Sequence, residues 1–437
     1  MRKIALFVIA ALLFGCQQKE TTMKKSENYV PETPQLESDI MTPEVLWSFG
    51  RLGGAQVSPD GKTVLYTVTY YNIKEDKSYR DIYTIPVEGG EATNITNSAG
   101  NEANAVWRPD GKKIGFLSAA SGDMQLWEMN PDGSGAKQVS KIEGGISGFE
   151  YSPDQSRIYY LKSVKLDDNV QDMYPDLPKA NARIEDDLMY RHWDTWHDYT
   201  YNHIFIADYS SGKIGEGTDI MEGERFDSPM KPFGGNEQVV WSPDGKTLVY
   251  TCKKKVGKAY SVSTNSDLYF YDVETGKTIN FTSGMMGYDQ NPAFSPDGKY
   301  IAWESMERDG YEADKLRLFI AELETGEKKD YSADFDQNAA SLSWSDDSKS
   351  VYFISDIHAT DEIYRLDLAD GSIARLTDGV HNYQSVKQVG EKLLASKVSM
   401  SHPAELFLVD PLNGNDQALT SVNNGIMDQL TMGKVDR

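Results

Sequence analysis

The residues best equipped for chemistry fall in one stretch. Positions 188 to 205, LMYRHWDTWHDYTYNHIF, hold two Trp, three Tyr, three His, one Arg and two Asp, and the acidic run Glu185-Asp186-Asp187 comes just before. Carboxylates at Glu185, Asp186, Asp187 and Asp194 can hold a cationic group through charge-assisted hydrogen bonds. Arg191, with Asp194, can present charge to a ligand while Trp193 and Trp196 clamp the loop against the blade, and His192 belongs to the same candidate set. Each also has a plainer reading, the acids as solvated charge at a helix start and the tryptophans as core. A metal is disfavoured, because His192, His197 and His203 are spaced by five and six rather than at the i, i+4 separation with which one helical face grips zinc. No cofactor is expected. Acyl transfer through a serine is disfavoured too. No G-x-S-x-G occurs, and the nearest approach, Gly145-Ile146-Ser147-Gly148-Phe149, lacks the second glycine at the needed place. Without the strand-to-helix elbow that exposes a nucleophile, no catalytic serine is assigned.

What positions this stretch is a repeat. VSPDGKTVLY (57–66), WRPDGKKIGF (107–116), YSPDQSRIYY (151–160), WSPDGKTLVY (241–250), FSPDGKYIAW (294–303) and WSDDSKSVYF (344–353) share one pattern. Pro presets φ, and Asp with Gly makes a turn, so each phrase is a corner between two short strands of alternating polarity. A second unit follows each, strand, Gly-bearing turn and shorter strand, closing on Thr96, Ser140, about Thr218, Thr282, Ser332, Thr377 and Thr420. The last repeat has no Ser-Pro-Asp-Gly phrase of its own. Four strands every 40 to 50 residues or so, at period two, predict β-propeller blades. The expected fold is therefore all-β, one seven-bladed propeller over 56–423 made of four-stranded antiparallel blades, after a leader at 41–55. The ring closes either with blade seven's own strands or with help from residues 45–50.

Two longer intervals mark additions. The smaller, KKKVGKAYSVSTNS at 253–266, reads as a lengthened surface loop. The larger, about 162–202 in repeat three, carries the aromatic stretch; long loops in compact domains are usually functional or disordered. Ile184, Leu188, Met189 and Trp193 have helical spacing, so a short helix over 184–198 is expected to project from one face.

The chain opens with Arg2 and Lys3, an apolar run Ile4 to Phe14, then Gly15-Cys16. That run is too short to span a bilayer as a helix. It reads as a signal peptide over 1–15 whose end resembles the bacterial lipobox, making Cys16 a lipid anchor and 16–40 a polar tether. The expected location is outside the cytoplasm, in the periplasm or at the outer membrane. Only Cys252 remains after Cys16, so no internal disulfide can form in the exported domain. A formal charge of -23 argues against a nucleic-acid partner and against electrostatic attachment to anionic lipid.

The repeats, the leader MTPEVLWSFGRLGGAQVSPDGKTVLYTV (41–68) and DLMYRHWDTW inside the addition together resemble the propeller half of the S9 prolyl-oligopeptidase family, in its dipeptidyl-peptidase and acylaminoacyl-peptidase branch. The resemblance implies an α/β-hydrolase domain with a Ser, Asp and His triad following the propeller, residues 424–437 as the link towards it, and short peptides as substrates admitted past the propeller. It also implies propeller acids that hold a substrate's free amino terminus. Glu185, Asp186, Asp187 and Asp194 are the candidates for that role, without a residue-by-residue match. Two other readings compete: a stand-alone TolB-like envelope lipoprotein that binds proteins on one face, and an enzyme with a site in its own channel, such as a metal-dependent polysaccharide lyase.

Overall fold

The computed structural model describes residues 29, 32–96, 98 and 101–435. The expected signal peptide, Cys16 and most of the tether lie outside the described residues. Strands form where β-branched and aromatic residues gather, as in Thr63–Asn72, where Val64, Leu65 and Tyr66 are buried in succession because the blade is covered on both faces. The first strand is Arg51–Val57 and the last Asp416–Ala418. Between them are seven groups of four strands, each paired antiparallel in sequence order, at 51–94, 103–138, 148–214, 239–280, 289–330, 340–375 and 382–418. In blade three, Thr218–Asp219 also pairs with the third strand. Blades six and seven touch through one parallel bridge, Asp361 to Asn382.

The core is divided like the ring. Buried clusters join blades one and two (Phe116, Trp127), two and three (Phe149, Tyr209), three and four (Tyr159, Trp241), four and five (Val249, Trp303), five and six (Leu318, Phe353) and six and seven (Ile363, Leu393). A seventh joins seven back to one through Val64, Tyr66, Leu394 and Leu406. Each blade buries its two faces against its neighbours, so the circle is complete.

Among the described residues no strand crosses the seam between blades one and seven. Residues 45–50, left open as a contribution to blade seven, belong instead to a helix, α1 (Pro43–Ser48), capped by Thr42, and the turn after it. Closure is made by a clasp. Asn423 accepts from the Gly50 N–H at 2.8 Å and donates to the Gly50 carbonyl at 3.0 Å, across 373 residues. A side chain at Gly50 would collide with Val422, Tyr70 and Val68 at under 3 Å, so only glycine lets the two chain segments meet. Val45 and Phe49 pack on Ile426 beside the clasp.

The repeated phrases explain themselves as geometry. In each Ser-Pro-Asp corner the serine hydroxyl donates to the aspartate, at 2.6 Å in Ser58–Asp60, Ser152–Asp154 and Ser242–Asp244. Successive corners lie side by side: Gly111 faces Pro59, Gly245 faces Pro153, and Gly298 faces Pro243. They form a collar round one mouth of the channel. The closing hydroxyls are staples. Thr96, Ser140, Thr282, Ser332, Thr377 and Thr420 each accept from a third-strand N–H at 2.8–3.0 Å. Blade three departs from this. Thr218 makes no such bond; in its place His203, at the third-strand position where other blades carry acids such as Asp81 and Glu362, meets Asp219 at 2.8 Å.

Because strands alternate in direction, all loops between second and third strands share one face with the blade-to-blade connectors and both terminal segments. The Ser-Pro-Asp corners share the other. The loop face carries the aromatic stretch.

Candidate functional site

Blade three's second strand runs to Lys165 and its third begins at Thr200, so the arm between them is 166–199. The expected helix over 184–198 is absent. That segment contains a hairpin of two-residue strands, Arg191–His192 and Thr195–Trp196, and the arm's helix, α2 (Val170–Met173), lies earlier, with a capping box from Asn169 and Asp172. Helical spacing stabilises a helix only when its apolar stripe is covered. Here Ile184, Leu188 and Trp193 are exposed, so nothing rewards the helix. The addition in repeat four is likewise more than a loop, for it holds a short helix, α3 (Gly257–Val262).

Arg183, which the sequence did not single out, organises the arm. Its guanidinium lies 5.1 Å from the Trp196 ring and 4.7 Å from Tyr199, pairs with Glu185 at 2.8 Å and donates to the His197 carbonyl. Glu185 is thus already engaged. Asp187 accepts from the Leu188 N–H and lies against Gly257 of blade four. Asp194 accepts from the Thr195 hydroxyl at 3.3 Å, and Asp186 and Arg191 are exposed. Trp196 stacks on Tyr190 at 6.0 Å. Trp193, 66% exposed, touches His192 at 4.7 Å and Phe233, itself 78% exposed, at 5.3 Å. The tryptophans are therefore surface, not core, and the four acids do not converge on one prebuilt carboxylate pocket.

The arm is clamped at both roots by the connector from blade three to blade four. Arg225 donates to Asp167 at 2.7 Å and to the Leu166 carbonyl, the first two residues after the outgoing strand. Asp227 accepts from the Asn202 N–H at 2.8 Å, and Lys231 donates to the Thr200 carbonyl at 2.8 Å, on the returning strand. Lys254 joins Glu224 at 2.7 Å and Asp309 accepts from Ser263 at 2.6 Å, which ties blades three, four and five into one rampart on the loop face.

The channel beside it is polar. Asn104 and Asn236 both donate to the Phe149 carbonyl, and Glu304 accepts from Asn291 and from the Ser341 N–H. Burial pushes Glu150 up to about 7 and Glu304 up to about 6. Their only sequence signal is an acid at an alternating position of an otherwise apolar strand. Among the described residues no group of three His, Cys, Asp or Glu side chains could hold a metal, and no helix is long and apolar enough to cross a membrane.

The distribution of exposed apolar side chains is one-sided. Ile40, Leu46, Trp47, Ile73, Tyr190, Trp193, Trp196, Phe233, Val256, Tyr311, Val380 and Met400 are all exposed, and all lie on the loop face. Among the described residues only two large exposed hydrophobics fall elsewhere, Ile279 on an outer strand and Leu412 on the corner face. Within this set Tyr190 meets Trp196 and Trp193 meets Phe233, so the arm carries the ring-to-ring contacts of that face.

Comparison with known proteins fits this architecture. The model of the PD40 family, the TolB β-propeller domain, matches residues 38–184 and 240–429, leaving out the aromatic hairpin and the clamping connector. Dipeptidyl-peptidase 5 of Porphyromonas gingivalis is 45% identical over 391 residues, 90% of this chain and 57% of that protein. Dipeptidyl-peptidase 5 of Porphyromonas endodontalis is 41% identical, over 92% of this chain and 58% of its own length. The chain thus spans somewhat more than half of these relatives. Among solved structures, the acylaminoacyl peptidase of Pyrococcus horikoshii superposes with TM-score 0.66 at 19% identity, over 88% of this chain and 54% of that one. The β-propeller domain of the Trilobed protease of Pyrococcus furiosus, described as having an open velcro topology, superposes with TM-score 0.57 at 17% identity, over 86% and 99%.

Proposed function

Since the chain belongs to the TolB β-propeller (PD40) family and is related to dipeptidyl-peptidase 5, we propose that it is the substrate-admitting propeller of an S9 serine exopeptidase, inactive by itself. The loop face carries the reading. Its exposed apolar side chains form the surface against which a hydrolase domain packs, and the arm stands where short peptides pass between the two. On this reading the acids of the arm, with Arg191, His192, Trp193 and Trp196, contact the peptide, and the free carboxylates among them attract its ammonium group. A stand-alone binding module of TolB type would use the same face for a separate protein.

The two readings separate in an activity assay. Joined to the C-terminal segment of the Porphyromonas gingivalis relative, the chain is expected to release dipeptides from short chromogenic peptides, while the chain alone releases none. Asp194→Ala or Asp186→Ala should raise KM about tenfold for peptides with a free amino terminus and leave acetylated peptides unchanged, the loss of one charge-assisted hydrogen bond. A folded but inactive fusion would return the chain to the stand-alone reading. Unchanged kinetics after replacement of Glu185, Asp186, Asp187 and Asp194 would remove the acids from the site.

We also propose export and anchoring through Cys16, on the strength of the Leu13-Phe14-Gly15-Cys16 run. Cys16→Ser is expected to move the protein from the membrane to the soluble fraction of fractionated cells. Retention of the variant in the membrane would contradict the anchor.

A further inference from the structure

His203 is fully buried and both its ring nitrogens are engaged. Nδ1 lies 2.8 Å from Asp219 Oδ2, and Nε2 lies 2.8 Å from the Glu224 carbonyl oxygen. Neither an ionised carboxylate nor a carbonyl has a hydrogen to give, so both ring nitrogens must donate. The ring that satisfies both bonds is the imidazolium, and the neutral ring must give up one of them.

What those bonds hold is the clamp on the arm. Glu224 opens the segment in which Arg225 grips Asp167 and the Leu166 carbonyl, and Asp227 and Lys231 grip the returning strand at Asn202 and Thr200. The Ile220 N–H donates to the Ile204 carbonyl, next to His203. His203 therefore joins the third strand of blade three to the start of a connector that holds both roots of the arm. We propose that His203 is a proton-operated latch: protonated, it fixes the 220–238 connector and with it the arm over the loop face, and on losing its proton it frees the connector and loosens the arm.

The surrounding charges are consistent in sign. Asp219 on its own blade and Asp227 on the connector favour the imidazolium, outweighing the burial that opposes it, and hold His203 above the ordinary histidine range. The Glu224 carboxylate is engaged by Lys254 of blade four. Lys162 is the register partner of His203 on the neighbouring strand. Arg225 and Lys231 are paired to Asp167 and to Asp198 and Asp227. His197, at the end of the arm, accepts from the Tyr199 N–H at Nδ1. A group whose pKa is raised by folding stabilises the folded form fully below its unfolded value, and that stabilisation is lost as pH rises through the folded value. The latch is thus closed in mildly acidic solution and open in alkaline solution.

The test is amide hydrogen exchange of the whole chain at pH 5.5 and 8.5, corrected for intrinsic exchange. Protection of residues 166–199 and 220–231 is expected to fall about tenfold at the higher pH, while the other six blades change little. His203→Gln should show the weak protection at both pH values. Asp219→Asn should bring the transition to lower pH, and the His203 ring resonance should titrate at the same midpoint. Equal protection at both pH values in the parent chain would overturn the proposal, as would an unaltered pH dependence in His203→Gln. If His203→Gln fails to fold, the displacement of the midpoint in Asp219→Asn decides alone. None of these readouts depends on what covers the loop face.

Discussion

Trp303→Ala is expected to cost about 4 to 6 kcal/mol of stability, whereas Trp193→Ala is expected to change it by less than about 0.5 kcal/mol. Trp303 is 0% exposed between blades four and five and packs with Val249, Leu268 and Ile301. Its indole N–H donates to Asp289 Oδ1 at 2.9 Å. Truncation opens a cavity and leaves a buried carboxyl, already pushed up to about 6 by burial, without that donor. Trp193 is two-thirds exposed, and its ring meets His192 and Phe233, of which Phe233 is itself exposed. With a total stability of about 5 to 15 kcal/mol for a typical domain, the first substitution brings the protein close to unfolding, and the second leaves it folded for functional assay. Urea denaturation followed by tryptophan fluorescence measures both. Comparable losses in the two variants would mean that the arm is part of the core, against the division drawn above.

Asn423→Ala is expected to cost about 2 to 4 kcal/mol. The asparagine is 1% exposed, and its amide supplies both the acceptor and the donor that Gly50 uses. Its own N–H meets Glu405, which also accepts from the Thr420 staple. Alanine would leave the Gly50 N–H and carbonyl buried without that partner. The loss should be local in origin: hydrogen exchange in the variant should accelerate first at 50–57 and 402–420, on either side of the seam. Exchange that accelerates evenly round all seven blades would show that the clasp does not act as the closing element.

Much of the architecture was legible because each blade repeats its own instructions. Ser-Pro-Asp-Gly is a local signal, and the corners it predicts are present and even touch one another, as Pro243 touches Gly298. Seven closing positions were visible too, and six proved to be hydroxyl staples. The seventh was misplaced at Thr218 because His203 with Asp219 does the same work with different chemistry, and no spacing rule equates a histidine with an acid. Closure was illegible for another reason. The Gly50–Asn423 pairing joins residues 373 apart, and neither is unusual where it stands.

The arm shows the limit most clearly. Its aromatic and acidic residues were recognisable as the chemically distinctive part of the chain, and their place on one face follows from the strand order. Its conformation did not follow. Ile184, Leu188, Met189 and Trp193 carry helical spacing, but that pattern earns a helix only against a surface, and the arm has little; Val170 is its single buried large apolar residue among those described. Arg183, which gathers Glu185, Trp196 and Tyr199, was overlooked because a lone arginine in a polar loop gives no pattern to read.

The clasp has a mechanical consequence. A ring whose ends are interlaced through a common strand resists pulling in shear, with several ladder hydrogen bonds loaded at once, whereas here tension applied between residues 32 and 435 runs through isolated contacts, first those of Gln429 with Leu36 and Pro34 and of Thr431 with Asp39, and then the two hydrogen bonds of Gly50 and Asn423. Those bonds yield in sequence rather than together, and the seam's apolar contacts, being non-directional, hold little against separation. Tugged from its ends, the molecule opens like a bracelet at its fastening and then gives up its blades from the two margins inwards.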